Sequence, residues 1–461
     1  ECNANPDPVF QFTVSVSPGA AITAPKSVTV PRNNNELRII HITDIHYDPN
    51  YMAGGWAQCP NIICCRRNDG VATNPGDAAG RWGDYRDCGT PWDAVEDTIR
   101  QIRRQHPQID MVYHTGDMID HGIWETTFEG NRAIMDRIYN MMREVFGNIP
   151  VYSSIGNHEA QPTNIFAPSS ITRPSLSTSW LYNYSADIWQ RHGWLPAAAL
   201  PTVRQGGYYT LIVQPGLRLI SLNNNDCYNF NWWILYSRVE IQSAMQWLHN
   251  TLLAAEQAGE RVHILKHIPS GGGSCFKWWS QQYRRVIDRF HGIIGAQFNG
   301  HSHRDEFEVF YDSATAQHAV NVAWNGGSAT AFSFVNPNYH LYHVDRTHFQ
   351  VQDSESWIYS ITEANQNQAT PPRWFRQYSL REAFGLTDTS PAALDRFVFD
   401  MSRNRNVNRQ YWRYRVKDGD QMIARGCDDA CLRNQVCAIV TNEFNEPRRC
   451  NQVLAVFGTV A

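Results

Sequence analysis

Seven Asp, Asn and His residues of this chain could bind metal ions together. They are Asp44, His46, Asp117, Asn157, His267, His301 and His303. Carboxylate, amide and imidazole groups are ligands that Zn, Fe and Mn ions take in proteins. Such a set suits two ions about 3.5–4 Å apart, and one carboxylate could bridge them. We choose Asp117 as the bridging residue.

Each of these residues belongs to a short motif that follows an apolar run. The motifs are Asp44-x-His46, Gly116-Asp117, Gly156-Asn157-His158-Glu159, His267 and Gly300-His301-x-His303. Any one of them alone would be ordinary turn chemistry. In open α/β sheets, however, sites form where strands end at one edge. Five motifs in this order therefore predict one site at a sheet edge.

The apolar pattern predicts the elements that position the motifs. We expect strands at 37–42, 109–114, 149–154, 207–213, 217–222, 261–265, 293–298, 305–311 and 318–323, and helices at 90–105, 126–145 and 238–256. Strands that alternate with helices are typical of an α/β sandwich. After about residue 360, Arg- and Asn-rich segments indicate helices. We divide the chain into a Pro-containing linker (1–35), a catalytic domain (36–360) and a helical C-terminal domain (361–461).

Composition excludes several classes of protein. The chain has 461 residues, of which 42% are hydrophobic and 12% aromatic, so a large core is expected rather than disorder. The formal net charge is −4, which argues against nucleic acid as a stable partner. No apolar run approaches the roughly 20 residues of a membrane span. The chain begins at Glu1 without a signal peptide, which indicates a mature or trimmed product.

Eleven cysteines lie in clusters that contain no CxxC pair, so disulfides are favoured over a structural zinc site. Short loops favour Cys427–Cys431 and Cys437–Cys450. One thiol must remain, and Cys2 is the candidate. Disulfides and the sequon at Asn183, a candidate glycosylation site, predict a secreted or lysosomal protein.

The motif set resembles the five-block signature of the calcineurin-like metallophosphoesterases, and more closely that of the acid sphingomyelinase family. Further matching segments are Cys64-Cys65-Arg66-Arg67, Arg81-Trp82-Gly83-Asp84-Tyr85, His267-Ile268-Pro269 and Asp305-Glu306-Phe307-Glu308-Val309-Phe310-Tyr311. The resemblance covers the catalytic and C-terminal regions without the family's saposin domain. It implies an α/β fold, a β-sandwich flanked by helices, with a smaller disulfide-bonded helical C-terminal region.

The same resemblance implies how the seven candidate ligands are shared between two metal ions. One metal ion would take Asp44, His46, Asp117 and His303, and the other would take Asp117, Asn157, His267 and His301. The ions would be divalent, with zinc as our choice. The resemblance also implies the disulfides Cys59–Cys64, Cys65–Cys88, Cys227–Cys275, Cys427–Cys431 and Cys437–Cys450.

The activity implied by the resemblance is hydrolysis of sphingomyelin to ceramide and phosphocholine at a membrane surface. A metal-bridging hydroxide would attack phosphorus in line with the leaving alcohol. His121 and His158 are candidate phosphate contacts and general acids, which we do not rank, and Asn157 joins them in the catalytic set. Tyr339 matches a family tyrosine near the lipid headgroup.

Substrate choice is less constrained by the sequence. The aromatic segments Trp232-Trp233 and Phe276-Lys277-Trp278-Trp279 follow Cys227 and Cys275, and they could form a membrane-docking rim or pack in the core. The alternative functions are a phosphodiesterase of nucleotides or other soluble phosphodiesters, and an inactive lipid-binding protein. The oligomeric state is not indicated by the sequence.

Overall fold

A computed structural model of the chain describes residues 11–19 and 36–460. Cys2 and most of the predicted linker at 1–35 therefore lie outside the described residues. Residues 11–19 of that linker lie against the body of the protein, where Phe12 and Val14 are buried. Within the described ranges, no helix is long and apolar enough to span a bilayer.

The described chain contains twelve strands. They are β1 (Glu36–Ile42), β2 (Met111–His114), β3 (Val151–Ser153), β4 (Tyr209–Gln214), β5 (Leu217–Ser221), β6 (Arg261–Leu265), β7 (Ile294–Asn299), β8 (Asp305–Tyr311), β9 (Ala319–Gly326), β10 (Asn338–Asp345), β11 (Val351–Ile358) and β12 (Phe375–Ser379). They form two six-stranded sheets, one in the order β12-β11-β10-β1-β2-β3 and the other in the order β4-β5-β6-β7-β9-β8. Nine of these strands are at predicted positions, whereas β10, β11 and β12 were not predicted.

Both sheets contain parallel strands whose carboxyl ends can carry a site. In the first sheet, β1, β2 and β3 pair in parallel, and in the second sheet β5, β6, β7 and β9 do so. Strand β1 lies inside the first sheet between β10 and β2, and its residues from Ile39 to Ile42 are all buried.

The inner faces of the two sheets pack against each other. The Tyr113 hydroxyl on β2 lies 2.8 Å from Nδ1 of His263 on β6. The Tyr209 hydroxyl on β4 donates to the Ser153 carbonyl on β3 over 2.8 Å. Since these buried polar groups are paired across the sheets, they fix how one sheet lies on the other.

Thirteen α-helices of the described residues flank the sheets. They are α1 (Trp92–Gln105), α2 (Phe128–Phe146), α3 (Ser179–Arg191), α4 (Leu200–Gly206), α5 (Val239–Gln257), α6 (Lys277–Phe290), α7 (Ile361–Gln366), α8 (Leu380–Phe384), α9 (Pro391–Arg403), α10 (Arg405–Arg415), α11 (Asp420–Arg425), α12 (Asp429–Val440) and α13 (Arg448–Leu454). Helix α1 buries Val95, Ile99 and Ile102, which recur at helical spacing. The predicted helices at 90–105, 126–145 and 238–256 correspond to α1, α2 and α5.

The boundary predicted at residue 360 does not separate two independent cores. Strand β12 lies beyond it and pairs with β11 at the edge of the first sheet. Leu394, Phe397 and Val436 of the C-terminal helices belong to the same buried cluster as Leu37 and Ile39 of β1. The C-terminal region is mostly helical as predicted, but its helices share the core of the sandwich.

Within the part of the chain that the structure describes, five disulfides connect Cys59–Cys64, Cys65–Cys88, Cys227–Cys275, Cys427–Cys431 and Cys437–Cys450. These are the pairs that the resemblance implied. Four of them close loops of fewer than thirty residues, and Cys227–Cys275 joins the segment after β5 to the start of α6.

Candidate metal centre

The seven candidate ligands meet where the parallel strands end. Asp44 follows β1, Asp117 follows β2, and Asn157 follows β3, while His267 and His301 follow β6 and β7 of the other sheet. Beyond the strand ends the backbones remain joined, because the Asp44 N–H donates to the Gly116 carbonyl over 3.0 Å and the Ile45 N–H donates to the Asp117 carbonyl over 2.7 Å. The site is thus built from the adjoining edges of both sheets.

Five of the seven residues have left-handed backbone conformations. Their φ angles are 50° for Asp44, 45° for His46, 60° for Asp117, 72° for His301 and 58° for His303. Non-glycine residues adopt this region at a cost of order 1–3 kcal/mol each, and such strain concentrates at functional sites. The surrounding fold therefore holds these side chains in orientations that the isolated segments would not prefer.

The first cluster contains Asp44, His46, Asp117 and His303. Oδ1 of Asp44 lies 3.2 Å from Nε2 of His303, and Oδ2 of Asp117 lies 3.5 Å from Nε2 of His46. Two ligand atoms on one ion at about 2.1 Å, with angles of 90–109°, lie roughly 3.0–3.4 Å apart. The separations within the cluster are therefore those of atoms that face a common cation.

The contact between His46 and His303 fits a shared cation. Nδ1 of His46 lies 2.7 Å from the Ile119 carbonyl, and Nδ1 of His303 lies 3.2 Å from the Phe332 carbonyl. A carbonyl only accepts, so both Nδ1 atoms carry hydrogen and the two Nε2 atoms face each other. These two Nε2 atoms are 3.1 Å apart. One positive ion bound by both Nε2 atoms would fit this distance.

In the second cluster, formed by Asp117, Asn157, His267 and His301, the ligand atoms also face one another. Nδ1 of His267 lies 2.7 Å from the Thr115 carbonyl, so its Nε2 faces inward. That atom lies 3.2 Å from Oδ2 of Asp117 and 2.9 Å from Oδ1 of Asn157. Nδ1 of His301 is also 2.9 Å from Oδ1 of Asn157. Oδ2 of Asp117 therefore faces both clusters, as a bridging carboxylate must.

The groups around the ligands fix their orientation. Nδ2 of Asn157 donates to Oδ1 of Asn164 over 2.8 Å, which turns the Asn157 oxygen toward the site. Nε2 of His301 lies 3.1 Å from the Ser274 hydroxyl. Partners of this kind typically change metal affinity or activity by about 10- to 100-fold when removed.

Electrostatics at the site favours a positive charge. Burial lowers the pKa of His46 to about 4 and that of His301 to about 3, so these imidazoles are held in the neutral form that binds metals. Burial opposes protonation of His267 as well, but Asp117 raises the pKa of His267 to about 9. The carboxylate thus attracts a positive charge to the place where the two clusters meet.

Two glycines permit the close approach of the strand ends. A Cβ atom on Gly156 would lie 2.2 Å from Oδ1 of Asp117, and one on Gly300 would lie 2.5 Å from Oδ2 of Asp44. Both distances are far below contact distance. Glycine is therefore required beside each of these two carboxylates.

Glu159 was part of a quoted motif but was given no role, and the structure gives it one. It is buried, and its carboxylate accepts from the backbone N–H groups of Asp117, Met118 and Gly156 over 2.6–3.1 Å. These contacts join the turn after β2 to the turn after β3. Glu159 therefore fixes the backbone of Asp117 by hydrogen bonds and is not itself one of the candidate ligands.

We expect Glu159→Gln to lower stability by about 1–3 kcal/mol, because an amide NH₂ would face backbone N–H donors that it cannot satisfy. Urea unfolding of the variant, with Glu129→Gln on the exposed face of α2 as control, measures the effect. Equal stability of the two variants would contradict the role assigned to Glu159.

The structure brings His121 and His158 to the rim of the first cluster. The His121 ring stacks on His46, with centroids 3.9 Å apart, and the His158 ring lies edge-on to His46 at 4.7 Å. Nδ1 of His158 is 2.9 Å from the Asp120 carbonyl, which leaves its Nε2 for a ligand. Both histidines are therefore placed to reach a group bound at the metal centre.

Phe332 was missed by the sequence analysis. Its ring stacks on His121 with centroids 3.8 Å apart and planes inclined by 14°. Its carbonyl is the partner of His303 described above. No pattern in the sequence identifies it, since it lies in an irregular loop well after His303, the nearest candidate ligand.

The prediction for Tyr339 was wrong. Tyr339 lies on β10 and is fully buried, its hydroxyl is 3.1 Å from Nε2 of His106, and its ring packs on Trp357 and Trp374. None of these partners belongs to the metal centre. Because β10 was not predicted, the direction of its side chains could not be assigned, and this tyrosine belongs to the core.

The loop that carries Phe332 is held by a buried lysine of the C-terminal region. Nζ of Lys417 donates to the carbonyl and hydroxyl of Ser328 and to Oδ1 of Asn338 over 2.7–3.1 Å. Two residues beyond Ser328, the Thr330 N–H donates to the Asp44 carbonyl over 2.9 Å. Lys417 thus supports the backbone of a candidate metal ligand.

The aromatic segments beside Cys227 and Cys275 divide between surface and core. Trp232 is 71% exposed, whereas Trp279 is buried and stacks on Tyr283. Further exposed apolar side chains near Trp232 are Phe230, Leu235, Tyr236 and Val239, and those after His121 are Ile123 and Trp124. The segment after Cys227 thus carries exposed apolar groups, whereas Trp279 packs in the core, which was the alternative left open for these segments.

The predicted sequon residue Asn183 lies on the exposed side of α3, where its Oδ1 accepts from Arg204 over 3.2 Å. Its glycosylation stays a prediction.

Two family models match consecutive parts of the chain. The calcineurin-like phosphoesterase model matches residues 37–305, and the acid sphingomyelin phosphodiesterase C-terminal region model matches residues 319–454. The first match includes every candidate metal ligand. The second begins within the sandwich, at β9, in agreement with the shared core.

Curated relatives are similar over most of the chain. The sphingomyelin phosphodiesterases of Bos taurus and Homo sapiens are each 37% identical over 423 residues, which is 90% of this chain and 66% and 65% of the relatives. Sphingomyelin phosphodiesterase 1 of Caenorhabditis elegans is 31% identical over 420 residues, which is 90% of this chain and 72% of the relative. The chain thus spans about two thirds of the length of the two mammalian relatives.

Proposed function

Since this chain belongs to the calcineurin-like phosphoesterase family and to the sphingomyelin phosphodiesterases within it, we propose that it hydrolyses sphingomyelin to ceramide and phosphocholine. The observation that carries the proposal is the pair of nitrogen and oxygen clusters that share Asp117. Inward-facing lone pairs in both clusters fit divalent ions. When bound, two such ions supply Lewis acidity toward a phosphodiester and a nucleophile from water at moderate pH.

The residues of the chain have distinct roles in this proposal. Asp117 holds the two clusters together through Oδ2, and Asn157 and the four ligand histidines complete them. His121 and His158 bind the phosphoryl oxygens and supply the proton that the departing ceramide alkoxide needs. Phe332 fixes the plane of the His121 ring. A histidine acid would suit a working pH of about 5.

We propose zinc as the metal. Four of the seven ligands are imidazoles, which suit zinc and other late transition metals better than magnesium or calcium. Elemental analysis of the purified protein checks the identity. We expect about two zinc ions per chain, and a protein that loads only magnesium would contradict the choice.

We propose that exposed apolar groups dock the chain on the membrane that contains its substrate. We expect the double variant Trp124→Ala/Trp232→Ala to lose about tenfold of its activity on sphingomyelin liposomes, because each truncated side chain loses apolar area that would be buried in lipid. Activity on soluble bis(4-nitrophenyl) phosphate should not change. Val460→Ala, at another exposed apolar position, serves as control, and an equal loss on both substrates would contradict docking.

The decisive experiment is phosphocholine release from sphingomyelin liposomes at about pH 5, with the soluble ester and a chelator control in parallel. Chelator-sensitive release of phosphocholine supports the proposal. Activity on the soluble ester alone would favour a phosphodiesterase of nucleotides or other soluble esters. Absence of both activities in protein loaded with zinc would favour the inactive lipid-binding alternative.

We further propose that the protein acts outside the cell or in the lysosome. Five disulfides persist in oxidising compartments and are rare in the cytosol.

A further inference from the structure

A cavity of about 150 Å³ lies between the loop around Phe166, the end of α4 and the start of α5. Aromatic and aliphatic side chains form most of its wall, with amides and two carboxyls between them. The residues used below are Phe166, Tyr182, Tyr208, Asp226, Trp233 and Glu240. None of the candidate metal ligands lines the cavity.

The described lining of the cavity contains acidic but no basic side chains. Among its described lining residues there are two acids, Asp226 and Glu240, and no Lys, Arg or His. Oε1 of Glu240 accepts from the N–H and the hydroxyl of Ser169, each over 2.7 Å. Oδ1 of Asp226 is shielded from solvent and accepts no hydrogen bond from any described residue. A cation would complement this wall.

Both acids act electrostatically on the tyrosines of the cavity. Burial raises the pKa of Tyr182 and of Tyr208, and Asp226 and Glu240 raise them further. Burial also raises the pKa of Asp226 to about 8, although the Trp279 side chain hydrogen-bonds its carboxyl. No described cation offsets the cost of ionising Asp226 here, so a bound positive ligand would relieve it.

The aromatic rings indicate which cation fits. The faces of Trp, Tyr and Phe rings attract organic ammonium groups, and such cages recognise quaternary ammonium ions. A metal ion would instead seek several oxygen ligands in close array. The volume suits a small ammonium compound and excludes a whole lipid.

We infer that this cavity binds a small organic ammonium ion, held between the rings of Tyr182, Tyr208 and Trp233 and the carboxyl of Asp226. The site is separate from the metal centre and does not depend on which phosphodiester the chain cleaves. It adjoins the segment Asn223–Cys227, in which Asn224 accepts from the His267 N–H over 3.0 Å and Asn225 donates to the Ile155 carbonyl over 3.0 Å. A ligand at Asp226 therefore touches a segment that supports two strand ends of the metal centre.

Calorimetric titration of the metal-loaded protein with choline tests the inference. The matched neutral probe is 3,3-dimethyl-1-butanol, which has the same shape without the charge. We expect choline to bind at least about tenfold more tightly than the alcohol, and Asp226→Asn to remove about that factor. Glu144→Gln, an exposed acid on α2, should bind choline as the parent does.

A second variant keeps the test independent of folding. Trp233→Leu removes one wall of the cage at a half-buried position, and we expect it to weaken choline binding while the melting temperature stays within a few degrees of the parent. Choline binding unchanged in both Asp226→Asn and Trp233→Leu would overturn the inference, as would equal binding of choline and the alcohol. Binding is measured without turnover, so failure of the phosphodiesterase proposal would leave the result interpretable.

Discussion

Asp117→Asn is expected to reduce turnover of bis(4-nitrophenyl) phosphate by about a thousandfold or more, since loss of one precisely placed charge-stabilising group alone costs about 10²–10³. Oδ2 of Asp117 lies 3.5 Å from Nε2 of His46 and 3.2 Å from Nε2 of His267, so it serves both clusters. The amide keeps the size of the side chain but removes the negative charge that joins two cations.

Metal content distinguishes this role from a general loss of structure. We expect the purified Asp117→Asn variant to contain fewer than two ions per chain, and the parent protein to lose activity on chelation and regain it with zinc. Asp93→Asn, at an exposed carboxylate paired with Arg81, is the control and should retain both ions and full activity. An Asp117→Asn protein with two ions and turnover within tenfold of the parent would show that Asp117 is not the bridge.

His121→Gln and His158→Gln are each expected to lower sphingomyelin hydrolysis strongly. The variant that lacks the general acid should lose about 10²–10⁴-fold of this activity. The leaving group separates the two roles. A ceramide alkoxide needs a proton as it departs, whereas 4-nitrophenolate is stable without one. The general acid is therefore the histidine whose loss affects the lipid far more than the activated ester.

The ratio of the two activities is the readout. We expect one variant to lose at least about a hundredfold more on sphingomyelin than on bis(4-nitrophenyl) phosphate. The other variant, if it only contacts phosphate, should lose similar factors on both substrates. Equal losses for both histidines on both substrates would mean that neither is the acid, and that a water molecule or another group supplies the proton.

The sequence predicted the candidate site better than it predicted the elements around it. Parallel strands deliver their carboxyl ends to one edge, so Asp44, Asp117 and His267 could be placed together from the apolar runs before them. Strands β10 and β11 were missed because polar residues at buried positions hide their pattern. His340 and Ser354 are both buried on these strands and paired with each other at 2.9 Å.

The errors and omissions have related causes. Tyr339 was assigned to the headgroup because it matches a family tyrosine, and without a predicted strand the direction of its side chain could not be checked. The roles of Glu159 and Phe332 depend on contacts between separate loops, and neither residue is a metal ligand. Their roles arise from tertiary contacts that no local spacing encodes, whereas the ligands themselves follow strands in a regular way.

The hydrogen bonds of Lys417 have a consequence for how variation in this chain should be interpreted. The lysine lies more than a hundred residues after the last candidate ligand, in a segment that could be taken for an accessory appendage. Its Nζ atom nevertheless supports the loop whose backbone holds Asp44. The catalytic and C-terminal regions therefore form one mutational target, and we expect substitutions near residue 417 to affect the candidate metal centre.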